Sequence, residues 1–218
     1  MAGSRVAVED GTPPVIGVFA LQGDFAAHLA AWRRLGATAR EVRTARDLDG
    51  VDALSLPGGE STTMLRLLGV TGLRDAFAAA VAERPVFATC AGAILLGHGG
   101  ERLPAPPFGV VDVTVARNAY GRQVDSFEAD LDAPVLGAGA TFRGVFIRAP
   151  RFTRTGPGVE VLVRHGDEPV AVRQGDAVAL AFHPELTDDP RLHRWFLDAV
   201  VEPARRRAGV RATPGRGR

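Results

Sequence analysis

The stretch "RPVFATCAGAILLG", residues 84–97, decides how the chain is read. "VFATC" has the apolar character of a buried strand, and "AGAILLG" that of a helix, with no loop residues between them. A strand that turns at once into a helix, with a cysteine at the turn, has the form of a nucleophile elbow. Such a bend needs small neighbours, and Ala88 and Gly92 stand two residues to either side of Cys90. The helix N-terminus puts partial positive charge at the sulfur and favours a thiolate. The backbone N–H of Ala91 would face a reacting centre as an oxyanion donor. A lone cysteine at a strand end is more often a small buried hydrophobe, so Cys90 alone does not decide between the readings.

Working outward, the first half of the chain alternates strands with helices. "VIGVFAL" (15–21), "ATAREV", "VDALSLPGG" (51–59) and "VFATC" read as strands. "DFAAHLAAWRRLG" (24–36), "STTMLRLLG", "TGLRDAFAAAVAERP" and "AGAILLG" read as helices. Gly36 is a C-cap candidate and Ser61 an N-cap candidate. This alternation predicts a mainly parallel sheet covered on both faces. The second half is a series of short β-rich runs: "FGVVDVTVAR", "QVDSFEADL", "FRGVFIRAP", "VEVLVRHG", "PVAVRQG" and "AVALAFHPE". They predict an antiparallel sheet packed beside the parallel one, with the last strand rejoining the core. "DDPRLHRWFLDAVVEP" is a terminal helix, capped by Asp188 or Asp189 with Pro190 at its first position. The expectation is one α/β domain over 14–204, a flexible N-terminal arm over 1–13, and a disordered basic tail over 205–218.

Composition excludes several classes of function. The chain has 218 residues and a formal net charge of +1, so bulk electrostatics point to neither nucleic acid nor membrane. A single cysteine rules out an internal disulfide and a multi-cysteine zinc site, and fits a reducing cytoplasm. No signal peptide is read in the N-terminal residues, and no run approaches the roughly 20 apolar residues of a membrane-spanning helix.

A nucleophilic cysteine needs a base. His28 lies in an amphipathic helix and reads as a surface or core-edge residue; His98 ends the helix after the elbow. His165 and His193 read as solvated. His183 differs, because it ends the apolar run "AVALAF" and opens "HPE". On an extended chain residues two apart share a face, which would set Glu185 beside the His183 ring. That is a base with its orienting acid. "LPGGESTT", 56–63, also links a strand to a helix. Its glycines let backbone amides approach a ligand closely, and amides at a helix start suit an anion.

"PGGES", "TCAG" and "FHPE", in this order, resemble class I glutamine amidotransferases with a Cys-His-Glu triad. With "IGVFALQGDFAAH", "RNAYGRQVDSFE", "GVFIRAP" and "FHPELTDD" the resemblance narrows to the glutaminase subunits of pyridoxal 5′-phosphate synthase, over about residues 15–200. It implies a flavodoxin-like α/β fold and hydrolysis of L-glutamine to L-glutamate and ammonia. It implies Cys90 as nucleophile, His183 as its base and acid, and Glu185 as orienter. Gly58, Gly59 and Ala91 would supply the oxyanion hole. Gly59, Glu60, Ser61, Arg117, Ile147 and Arg148 would contact glutamine, one arginine taking its carboxylate. Gln22 would contact the partner, a synthase subunit that consumes the ammonia in a hetero-oligomeric complex. No cofactor or metal is implied. The elbow of such proteins commonly has glycine where this chain has Ala88. Two other readings stay open: a cysteine peptidase on the same elbow, and an inactive module that only docks.

Overall fold

The computed structural model describes residues 12–99, 103–117 and 126–212. Most of the expected N-terminal arm, the segment 118–125 of "RNAYGRQVDSFE" and the last six residues lie outside the described residues. In chain order the first half contains β1 (Val15–Phe19), α1 (Phe25–Arg34), β2 (Thr38–Val42), β3 (Ala53–Leu56), α2 (Ser61–Val70), α3 (Arg74–Glu83), β4 (Val86–Thr89) and α4 (Ala91–Leu96). There follow β5 (Val113–Ala116), β6 (Ser126–Asp132), β7 (Thr141–Ile147), β8 (Arg151–Thr155), β9 (Glu160–His165), β10 (Glu168–Gln174) and β11 (Ala177–Leu180). The chain closes with α5 (Arg191–Phe196), a π turn over Leu197–Val201, and α6 (Glu202–Ala212).

Nine strands form one sheet in the order β2-β1-β3-β4-β11-β10-β9-β6-β7. β1, β2, β3, β4 and β11 run parallel; from β11 onward each pairing is antiparallel. The second half therefore extends the parallel sheet rather than packing beside it. The joint is β11, whose backbone pairs with β4 on one edge and β10 on the other. Among the described residues, only β5 and β8 stand apart, as a two-stranded sheet.

β3, β4 and β11 are buried along their whole length, which is why they read as mostly apolar runs, Ser55 and Thr89 excepted. Phe87 sends its ring toward Trp32 of α1 and Phe196 of α5, at 5.3 and 5.2 Å between centroids. Leu56 meets Gly92 of α4. Helices thus cover both faces, and the strand ends between them are where a site can form.

Helix boundaries depart from expectation in physically clear ways. Glu60, not Ser61, is the N-cap of α2, its carboxylate accepting from Thr62 N at 3.4 Å. Pro190 sits at the N-cap of α5 and not inside it, while Asp189 accepts from Arg191 N at 3.0 Å. The last helix does not end at Pro203. A proline ring clashes with the carbonyl four residues back and lacks an N–H; the wider π turn just before Pro203 accommodates it, and α6 continues to Ala212. Residues 205–212, expected in a disordered tail, are therefore helical. Arg205 bonds Glu202 and the Thr12 carbonyl, and Arg207 bonds Asp176, which ties this segment to the domain.

Candidate active site

The elbow is built from the ends of two neighbouring strands. β4 stops at Thr89, and Cys90 adopts φ 47° and ψ −105°, a conformation few non-glycine residues hold. Its N–H donates to the Leu180 carbonyl at 2.8 Å, and its own carbonyl accepts from Ile94 at 3.2 Å, the first turn of α4. The need for a small residue falls on Gly92, where a Cβ would stand 2.4 Å from the Leu56 carbonyl oxygen. Ala88 keeps its methyl in the buried ladder opposite Leu56 and Ala179, so the departure from glycine is accommodated.

β11 carries the histidine to the same place. Thr89 pairs with Leu180, so three residues later His183 arrives beside Cys90, its N–H held by the Val145 carbonyl at 2.8 Å. His183 Nδ1 lies 2.7 Å from Glu185 Oε1, and the ring also interacts electrostatically with the Cys90 side chain. The reason for the pairing is not the one expected. β11 ends at Leu180, and Pro184–Leu186 form a single 3₁₀ turn. The turn, rather than strand periodicity, brings Glu185 under the ring.

Burial works against an imidazolium here, but the bonds to Cys90 and Glu185 outweigh it and push the His183 pKa up to about 10. Burial likewise works against the Glu185 carboxylate, yet His28 and His183 hold its pKa well below the usual range. The second oxygen, Oε2, makes no hydrogen bond among the described residues.

Below Glu185 lies a polar group that sequence reasoning missed. His28 is fully buried, not at a surface or core edge. Its Nε2 is 3.2 Å from Glu185 Oε1 and 3.1 Å from Thr89 Oγ1, and its Nδ1 is 3.0 Å from Ser55 Oγ. Buried Ser55 and Thr89 are tolerated in otherwise apolar strands because they satisfy this ring. His193, read as solvated, is 1% exposed and packs at 4.7 Å from the Trp32 ring. Burial pushes its pKa down to about 3. The available signal was helical spacing: positions 28, 29 and 32 share the buried face of α1.

A cavity of about 210 Å³ opens over the sulfur. Of the residues expected at the site, Gly58, Gly59, Glu60, Ser61, Cys90, Arg117, Ile147, Arg148 and His183 line it, together with Asp24, Ile94 and Leu186, which were not anticipated. Ala91 follows Cys90 at the start of α4, and Glu185 lies beneath the ring. Gly58 packs on His183 so closely that a Cβ would sit 2.2 Å from Cε1. The Ile147 carbonyl is 3.8 Å from Cys90 Sγ. The next residue, Arg148, is with Cys90 one of two non-glycine residues with positive φ among the described residues, at 43°. Arg117 donates to Glu60 Oε1 at 3.1 Å, whereas the Arg148 side chain has no hydrogen-bonding or ionic partner among the described residues. Gln22, beyond β1, accepts from Glu60 N with Oε1 at 2.9 Å and so holds the turn that follows Gly58-Gly59.

Sheet, elbow and paired histidine have the form of a cysteine-nucleophile hydrolase site. A solved structure described as a glutamine amidotransferase is 53% identical, with a TM-score of 0.78, and the match covers 85% of this chain and 98% of that one. PurLQS from Thermotoga maritima shares the fold at 16% identity, with a TM-score of 0.65 over 86% of this chain and 99% of that one. Residues 18–202 match the SNO glutamine amidotransferase family, and the chain belongs to it. Its relatives include a pyridoxal 5′-phosphate synthase subunit PdxT of Thermus thermophilus, 56% identical over 187 residues, covering 84% of this chain and 96% of the relative. The subunit of the same name from Mycolicibacterium vanbaalenii is 52% identical over 193 residues, covering 86% and 98%. Among the described residues, no helix is long and apolar enough to cross a membrane.

Proposed function

We propose that this chain is the glutaminase subunit of a pyridoxal 5′-phosphate synthase, releasing ammonia from L-glutamine for a synthase subunit to consume. The observation that carries the reading is a cysteine on a strained elbow, sharing its cavity with a histidine that is itself paired to a buried carboxylate at 2.7 Å. The family relationship and the PdxT relatives support the substrate and the partner. Residues 14–204 are the glutaminase unit in this reading, and a free catalytic thiol fits a cytoplasmic setting.

The chemistry follows from the roles assigned. Cys90, its thiol proton already held on His183 Nε2, attacks the side-chain carboxamide carbon of glutamine through Sγ, and the C=O electron pair moves to oxygen. The N–H of Ala91 and an amide of the Gly58-Gly59 turn receive that oxyanion. His183, protonated at neutral pH by its raised pKa, gives its Nε2 proton to the leaving nitrogen as the C–N bond breaks. Ammonia departs and a γ-glutamyl thioester remains. Water then loses a proton to His183 Nε2 and adds to the thioester carbon; the C–S bond breaks and glutamate leaves. Glu185 keeps the Nδ1 proton in place throughout.

Glutamine is held by Gly59, Glu60, Ser61, Arg117, Ile147 and Arg148. Arg117 is engaged by Glu60, so Arg148 is the guanidinium available to fork onto the substrate α-carboxylate. Gln22, tied to the same turn, reports docking of the synthase subunit. The test is glutamate release by the purified chain, alone and with its synthase subunit. Turnover that rises with the partner and vanishes in Cys90→Ala is expected. Equal turnover in Cys90→Ala would overturn the reading.

A further inference from the structure

We infer that His28 is a positioning residue for Glu185, extending the site inward from Cys90 and His183 to His28 and Ser55. The inference rests on the reading above that Cys90, His183 and Glu185 act together. A glutamate side chain ends in a broad, roughly two-fold torsion, so a carboxylate held by one bond can swing either oxygen toward its partner. Glu185 Oε2 makes no hydrogen bond among the described residues, so nothing at that oxygen prevents the swing. Restraint must act at Oε1, the oxygen that accepts from His183 Nδ1. Two further groups converge there: His28 Nε2 at 3.2 Å and Thr89 Oγ1 at 3.5 Å. The threonine contact is at the outer limit of a hydrogen bond, which leaves His28 as the stronger anchor.

With the ring proton on Nε2, facing Glu185, His28 Nδ1 accepts from the Ser55 hydroxyl 3.0 Å away. That Nε2–H is shared between Glu185 and Thr89 Oγ1, and the Thr89 hydroxyl proton turns to Glu185. Each polar hydrogen of the group then has an acceptor. The ring also cannot drift, since His28 is fully buried and borders His193 at 6.5 Å between centroids. A histidine serving only as core would have no need to direct its proton at the one carboxylate that orients another histidine.

The test is a double-mutant cycle between His28→Leu and Glu185→Gln, read two ways. The first is kcat and KM for glutamine in the complex with the synthase subunit. The second, which needs neither glutamine nor the partner, is the rate of Cys90 alkylation by iodoacetamide. His28→Leu is expected to lower kcat about 10- to 100-fold, the usual scale for groups that orient a reacting ligand from behind, with KM unchanged. His28→Gln, which returns an N–H, is expected to restore most of it. Alkylation is expected to slow in His28→Leu and Glu185→Gln alike, and the double variant to be no worse than Glu185→Gln in either assay. Losses that multiply in the double variant, or a His28→Leu protein with unchanged kcat and alkylation, would overturn the inference. Should His28→Leu fail to fold, Ser55→Ala removes only the hydroxyl that donates to His28 Nδ1. It is expected to lower both rates several-fold and to have no effect beside Glu185→Gln; unchanged rates would overturn the inference equally. If the wild-type complex releases no glutamate, the functional reading fails, and the alkylation cycle still decides the role of His28.

Discussion

Replacing Gly58 by alanine tests whether His183 must sit where it does. The new Cβ would stand 2.2 Å from His183 Cε1, 3.0 Å from Nδ1 and 3.2 Å from Nε2, where ordinary contact begins at 3.4 Å. Relief requires the ring to retreat from Gly58 by about 1.2 Å, the gap between 2.2 and 3.4 Å. A ring held by Glu185 at 2.7 Å and facing the Cys90 thiol cannot move that far and keep both interactions. Misplacing a reacting group by about 1 Å costs on the order of 10²-fold in rate, so kcat is expected to fall by about that factor. The crowding itself is an overpacking cost of about 1–3 kcal/mol, which leaves the fold intact with a lowered Tm. The bonds that raise the His183 pKa to about 10 would weaken, and its titration is expected to move down toward 6.5. The assays are kcat and KM in the complex, thermal unfolding by circular dichroism, and NMR titration of the His183 ring. A folded Gly58→Ala protein with wild-type kcat and an unmoved His183 titration would refute the argument that this glycine sets the ring.

Gly69 in α2 has nothing within 4 Å of where an added methyl would sit and carries no positive φ, so Gly69→Ala is expected to stabilise the protein by about 0.5–1 kcal/mol, measured by urea unfolding. His193 is a buried neutral group whose folded pKa of about 3 lies below the 6.5 of the unfolded chain. Its contribution is present above pH 6.5 and is lost as pH falls from there through about 3, because only the unfolded state takes up the proton in that window. His193→Leu is therefore expected to flatten the acid limb of stability against pH, by up to about 1.4 kcal/mol per pH unit. Gln22→Ala removes the acceptor of the Glu60 N–H bond at 2.9 Å. A lost bond of about 1 kcal/mol predicts a several-fold lower glutaminase rate in the complex, read from initial rates.

Much of the fold was legible because β1, β3, β4 and β11 are buried on both faces and leave mostly apolar runs. β8 left no such trace. "RFTRT" buries only Phe152, and its strand character comes from pairing with β5, a tertiary fact with no local period. The continuation past Pro203 was hidden for a similar reason, since a proline stops a regular helix and only the π turn makes room for it. At the site, Cys90 was readable from the abrupt strand-to-helix change, and His183 with Glu185 from their place after an apolar strand. Their contact was anticipated by an extended chain that the structure replaces with a 3₁₀ turn. His28 was missed because a single polar residue in an amphipathic helix reads as edge or surface. Its partners, Ser55 and Thr89, sit 27 and 61 residues away on other strands.

The central claim is that Cys90 carries the glutamyl group during turnover. The direct measurement is intact-mass and peptide mass spectrometry of the complex quenched in acid during steady-state hydrolysis of glutamine. The account predicts a γ-glutamyl adduct on the peptide containing Cys90, accumulating further in Glu185→Gln if thioester hydrolysis becomes the slower step, and absent in Cys90→Ala. Glutamate release of normal rate from a Cys90→Ala complex, or an adduct on any other residue, would contradict it.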